Sequence, residues 1–245
     1  MLKKEVFALL DANRNERGMK NWGKMGFEST GLTSFGIGLT QLRKLARTIG
    51  RNHELARELW DSDNYDAKTI ALLIDEPKKM TWEQAQRQVE QLDAGMLVHV
   101  FASCDATLAK VDFVVELACE WIESKDDVRR RCGYLLLYEL SKNKRNKKLD
   151  DSFFLFYIND IQTIIHNQGY RVKQCMQAAL LGIGKRNKAL NTATIAAVKA
   201  IGPVASDPND HCEPTDIMKH LTSDYLKKKF TAWPGGQDTD DNQHT

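Results

Sequence analysis

Apolar residues return every three or four positions along most of the chain, as in "LARELW" (Leu55 to Trp60) and "VVELACEWI" (Val114 to Ile122). That period belongs to a helix with one face against a core. No proline occurs between Ala85 and Gly202, and Leu, Ala, Lys, Arg, Glu and Gln dominate there, so the stretch reads as helix after helix. Helix starts are expected at Asp63 or Asn64, at Thr81 with Gln84 as a capping pair, and at Asp151. Pro214 suits the first turn of a further helix before "TDIMKHL". No alternating strand pattern is present. The fold class read from this is all-α.

One helix stands out, from Val128 to Leu140. Leu135, Leu136 and Leu137 in succession leave it no polar face in its middle, so it is expected to be buried on most sides. Its first turn nonetheless carries Arg129, Arg130 and Arg131 at the positive end of the helix dipole, which disfavours each by a few tenths of a kcal/mol. Some other partner has to favour them there.

Internal repetition suggests the architecture. "VRRRCGYLLL" (Val128 to Leu137) aligns with "VKQCMQAALL" (Val172 to Leu181), and each is followed by a basic hexapeptide, "KRNKKL" (Lys144 to Leu149) and "KRNKAL" (Lys185 to Leu190). "GRNHEL" (Gly50 to Leu55) is a weaker third copy. Spacings of about 40 to 47 residues are those of HEAT-like paired helices, so the expectation is helical repeats stacked into a curved α-solenoid with a concave face. A single domain is expected over 1–233, with a disordered polar tail over 234–245.

The hexapeptides admit two roles. As helix punctuation, their cations answer a helix C-terminus, Asn takes the left-handed position just after it, and Leu opens the next helix. As a surface, equivalent positions in stacked repeats would align Arg51, Lys144, Arg145, Lys147, Lys185, Arg186 and Lys188 into a basic track suited to a sugar-phosphate backbone. Composition is neutral between these: 35 Lys and Arg face 33 Asp and Glu, for a net charge of +2. The tail holds Asp238, Asp240 and Asp241, which leaves the remainder near +5.

Other chemistries find little support. Five scattered cysteines without a C-x-x-C pair argue against a disulfide framework or zinc site and for a reducing cytoplasm. His211 beside Cys212 lacks partners at ligand spacing, so no metal is expected. No apolar run approaches the roughly 20 residues of a membrane span. "GLTSFGIG" (Gly31 to Gly38) lacks the Lys-Ser/Thr ending of a phosphate-binding loop, and no nucleotide is assigned to it.

Several segments in order resemble the DNA alkylation repair proteins of the AlkD type, DNA glycosylases built from HEAT-like repeats. They are "SFGIGLTQLRKLARTIG" (Ser34 to Gly50), "ELARELWDSDNYDAKTIALLI" (Glu54 to Ile74), "LAKVDFVVELACEWI" (Leu108 to Ile122), "DVRRRCGYLLLYEL" (Asp127 to Leu140), "GIGKRNKALN" (Gly182 to Asn191) and "IGPVASDPNDHCEPTDIMKHL" (Ile201 to Leu221). The resemblance implies hydrolytic excision of N3- or N7-alkylated purines from double-stranded DNA by a monomer without cofactor. A carboxylate would stabilise the oxocarbenium-like transition state. The family's catalytic Asp falls on Asp112, and its phosphate-holding Arg on Arg131 or Arg130, with Arg129 beside them in the DNA-contacting cluster. Two family aromatics are missing: Leu108 stands where the Trp four residues before the Asp would be, and the second falls near Ala178. Trp121, Tyr134 and Tyr138 are the candidates to replace them. A non-catalytic relative that binds DNA structures, or a protein-interaction scaffold, is the alternative.

Overall fold

The computed structural model describes residues 1–92, 94–103, 106–204 and 216–231, and every regular element among them is helical. The helices form two compact units, Met1–Asn143 and Lys144–Thr245. The first holds α1 (Lys3–Ala12), α2 (Glu16–Lys24), α3 (Leu39–Ile49), α4 (His53–Trp60), α5 (Tyr65–Ile74), α6 (Trp82–Val89), α7 (Leu97–Ala102), a 3-10 turn (Thr107–Lys110), α8 (Val114–Glu123) and α9 (Asp127–Lys142). The second holds α10 (Asp151–Ile164), α11 (Tyr170–Gly184), α12 (Lys188–Ile201), α13 (Ile217–Leu221) and α14 (Asp224–Thr231). Pro214, His211, Cys212 and the tail 234–245 lie outside the described residues.

Helix starts follow local side-chain chemistry. Asn64 caps α5 by accepting from the Ala67 amide at 2.9 Å, and Thr81 caps α6 by accepting from the Gln84 amide at 3.2 Å. The return arm of that capping pair is absent, because the Gln84 carboxamide donates to Asp75 Oδ2 at 2.6 Å instead. In α10 the cap is Asp150, one residue before the expected Asp151, accepting from Phe153 N at 2.9 Å.

In the first unit, α5 is buried along nearly its whole length and packs against α3, α4 and α7. Two charged side chains go inside with it. Asp66 accepts from Ser34 Oγ at 2.8 Å and from the amides of Phe35 and Ile37 at 2.7 and 3.1 Å. Two amides of "GLTSFGIG" are thus spent on a carboxylate of the chain itself. Lys68 donates to the Trp60 carbonyl at 2.6 Å and stacks 4.5 Å above the Trp60 ring. Gly18 and Gly36 make the wrap possible: a Cβ on Gly18 would stand 2.0 Å from the Gly36 carbonyl oxygen.

α8 packs along α9, and the approach depends on Gly133, where a Cβ would lie 2.7 Å from Ile122 N. Leu136 and Leu137 are fully buried and Leu135 nearly so. Burying each contributes on the order of 2 kcal/mol, far more than the dipole penalty of the arginines in the first turn. In the second unit, α10 and α11 both pack on α12, and α13 closes against α11 and α12.

Candidate nucleic-acid interface

α3 buries Leu42, Leu45 and Ala46, which turns Arg43 and Arg47, four residues apart, toward a common side. Gly50, at φ 79°, ends the helix, and Arg51 follows in the turn. The Arg51 guanidinium donates to the Asp75 carbonyl and, at 2.7 Å, to Thr107 Oγ1. A latch of polar contacts fixes this corner. The Asn52 amide donates to the Ile74 carbonyl at 2.9 Å, and His53 Nδ1 meets Asp75 Oδ1 at 2.7 Å in a buried pair.

The result is a cleft of about 630 Å³, lined by Arg43, Arg47, Arg51, Lys110 and Lys142, with Leu72, Ala106 and Thr107 among its other walls. Among the described residues, none that line it is a carboxylate. Lys142 is tempered from behind by Glu139, 2.9 Å away and buried, and lies 4.5 Å over the Tyr138 ring. Cations in the last turns of α3 and α9 answer helix dipoles, but that accounts for each singly. Convergence from three separate segments into one concavity concentrates positive potential where an anion can enter.

Of the candidates named from sequence, this cleft contains Arg51. Arg43, Arg47, Lys110 and Lys142 were missed; a spacing of four through Arg43, Arg47 and Arg51 was the visible signal. Lys144, Arg145 and Lys147 lie exposed in the second unit's opening turn, where Asn146 Oδ1 accepts from Lys148 N at 2.9 Å and Leu149 is buried. Lys185 follows the end of α11, Arg186 donates to the Leu149 carbonyl at 2.7 Å and lies over the Phe154 ring, and Lys188 is exposed at the start of α12.

The asparagines have a different role from the expected one. Asn52 and Asn187 are N-caps of the following helices, accepting from Leu55 N at 3.0 Å and Leu190 N at 2.9 Å, and neither occupies a left-handed position after the preceding helix. In these two of its three copies, Arg-Asn-x-x-Leu is grammar for starting a helix.

Two of the three arginines of α9 find the partners that the dipole argument demanded. Arg129 Nη2 pairs with Glu90 at 2.8 Å, and Arg130 with Asp127. Arg131 is half-buried, and its Nε is buried without a hydrogen-bond partner. Asp112 sits exposed in the turn between Lys110 and Val114. It is not part of the basic cleft. Leu108 is buried, and Trp121 and Tyr134 are fully inside the core, so neither of those aromatics offers a face to a base. Tyr138 is half-exposed beneath Lys142.

A family model described as DNA alkylation repair enzyme matches residues 4–207. The chain belongs to that family. Among relatives of this alkylation-repair chain are the uncharacterized protein Lin0241 of Listeria innocua, 27% identical over 182 residues that span 71% of this chain and 75% of the relative. The uncharacterized protein Lmo0209 of Listeria monocytogenes is 25% identical over 200 residues, spanning 78% of this chain and 83% of the relative. A solved structure from a family related to the HEAT-like repeat DNA glycosylases, with affinity for branched DNA structures, is similar with a TM-score of 0.75 over 94% of each chain at 24% identity. This likeness establishes the fold: HEAT-like helical repeats. Among the described residues no helix is long and apolar enough to cross a membrane.

Proposed function

We propose that this member of the alkylation-repair family binds DNA through its sugar-phosphate backbone, acting as a cytoplasmic monomer. The observation that carries the reading is the cleft, where five cations converge and, among the described residues, no carboxylate lines the wall. Phosphate oxygens are the partner such a site suits, and backbone contacts are independent of base sequence. Affinity for branched DNA in the structural neighbour's family supports the same reading, and makes a four-way junction the informative ligand beside linear duplex. Four to five phosphate contacts give a slope of about −4 in log affinity against log salt, or a loss of roughly 200-fold between 50 and 200 mM. Fluorescence titration of duplex and junction across that range tests it. An affinity indifferent to salt would overturn the reading.

Base excision is the second reading, and it rests on Asp112. Its carboxylate is exposed in a turn, able to meet a deoxyribose as positive charge develops there. Aliphatic Leu108 in place of an indole removes a face that would hold a cationic purine. Release of base from methylated duplex, compared between the wild type and Asp112→Asn, decides it. Release by the wild type alone supports excision; equal release by both, or none by either, removes Asp112 from catalysis.

A further inference from the structure

We propose that α2 is a second nucleic-acid-binding surface of the Met1–Asn143 unit, holding sugar-phosphate backbone with Arg17, Lys20 and Lys24. The proposal rests on the reading that the chain binds DNA, but on residues that do not line the basic cleft. Spacings of three and four put the three cations on one face of the helix, about 10 Å from first to last. Asn21 shares that face, and all four residues are exposed. The far side anchors the helix. Trp22 is buried there, its ring 4.9 Å from that of Phe27 and 4.7 Å from that of Tyr65, and its indole N–H donates to the Leu32 carbonyl at 3.2 Å. Gly18 lets the start of α2 press against Gly36, and Asn15 caps it by accepting from the Gly18 amide at 2.9 Å. The cationic row is therefore presented on a fixed support.

Elsewhere the chain answers its cations from one turn away: Asp11 pairs with Arg14, Glu54 with Arg57, Glu76 with Lys79 and Asp224 with Lys227. Among the described residues, Arg17, Lys20 and Lys24 form no such pair. Like charges at these spacings destabilise a helix, and Arg17 also faces the positive end of the dipole. The row thus weakens α2 by itself and is favourable only when anions meet it. A nucleic-acid strand supplies them as a linear array, met without regard to base sequence. A bilayer surface fits less well, because insertion requires an apolar strip along the helix. Trp22 is turned inward, and the exposed Met19 and Met25 fall on different sides.

Fluorescence titration of the full chain with duplex DNA at a series of salt concentrations tests this. Three further phosphate contacts add about −3 to the slope of log affinity against log salt, so the wild type should reach about −7 rather than the roughly −4 of the cleft alone. The triple variant Arg17→Gln, Lys20→Gln, Lys24→Gln should return the slope to about −4 and weaken binding at moderate salt by at least about tenfold. Its urea midpoint should be unchanged or higher, because Trp22 and Asn15 are kept and the repulsion is relieved. A charge-matched control, Arg57→Gln with Lys79→Gln and Lys227→Gln, removes three paired cations and should leave affinity within about twofold. A wild-type slope near −4 with the α2 variant binding as the wild type does, or a control that loses as much as the α2 variant, overturns the α2 surface and leaves the cleft standing. A wild type indifferent to salt overturns both. Sedimentation with vesicles of phosphatidylglycerol and phosphatidylcholine should be absent; sedimentation that the α2 variant loses, with its duplex affinity intact, assigns the row to lipid and overturns the proposal.

Discussion

The α3–α4 and α11–α12 junctions share the sequence Arg-Asn-x-x-Leu and most of its geometry. In both, Asn caps the second helix and Leu is buried behind the cap. In both, Arg reaches a backbone carbonyl at the edge of a neighbouring helix, Asp75 for Arg51 and Leu149 for Arg186. They part in what surrounds the guanidinium. Arg51 opens on a cleft that four other cations line, whereas Arg186 is half-buried with its plane 4.8 Å over the Phe154 ring. One motif therefore serves as a joint twice and as the border of a basic cleft once. The joint is written locally; the cleft is completed by Arg43, Arg47, Lys110 and Lys142, which come from elsewhere in the chain.

The sharpest break of this comparison is charge reversal at the cleft. Arg47→Glu combined with Lys110→Glu should lower duplex affinity by at least about 100-fold at moderate salt and reduce the salt slope by about 2, measured by fluorescence titration. Arg186→Leu should leave that affinity within about threefold. It should instead cost about 1–3 kcal/mol of stability in urea unfolding, because the Leu149 carbonyl loses its donor and the Phe154 ring its cation. Arg51→Leu is the mixed case and should move both readouts. If Arg186→Leu abolishes DNA binding while remaining folded, the two junctions are functionally alike and the contrast fails.

The local half of this design was legible in the sequence. Helical class, the cap at Asn64, the cap at Thr81 and the burial of Leu135 to Leu137 all depend on residues within one or two turns of each other. The Asp150 cap was missed by one position because two adjacent aspartates offer the same chemistry and only backbone angles choose between them. The asparagine roles were inverted for a similar reason: Gly50 takes the positive-φ position that ends α3, so Asn52 is free to start the next helix. The cleft was not legible, since it joins positions as distant as Arg43 and Lys142, and no local pattern marks Lys110.

Cap deletions refine the comparison at smaller magnitude. Asn52→Ala and Asn187→Ala should each cost about 1 kcal/mol, with Asn187→Ala the more damaging because its carboxamide also donates to Asp151 at 2.8 Å. Asn146→Ala should cost less than either. Its carboxamide bonds Lys148 within a turn and caps no helix. Urea midpoints of the three variants check the order, and an Asn146→Ala loss equal to the others would mean that all three hexapeptides are structurally equivalent.

The smallest effect is a pH dependence that the cleft imposes on its own support. His99 in α7 has its pKa lowered from 6.5, first by burial and then by Arg43, with Glu139 opposing. The folded state therefore binds fewer protons here than the unfolded chain as pH drops below neutrality. The contribution is fully present above the unfolded value near 6.5 and is lost as pH falls through the depressed folded value. Stability measured in urea at pH 7 should accordingly exceed that at pH 5, and His99→Gln should flatten this part of the profile. Arg43→Gln should flatten it partly, because a cation lining the cleft is then no longer holding the imidazole neutral. A profile unchanged by Arg43→Gln would leave burial as the whole cause, and the concentrated charge of the cleft would then act on its ligand without acting on the fold behind it.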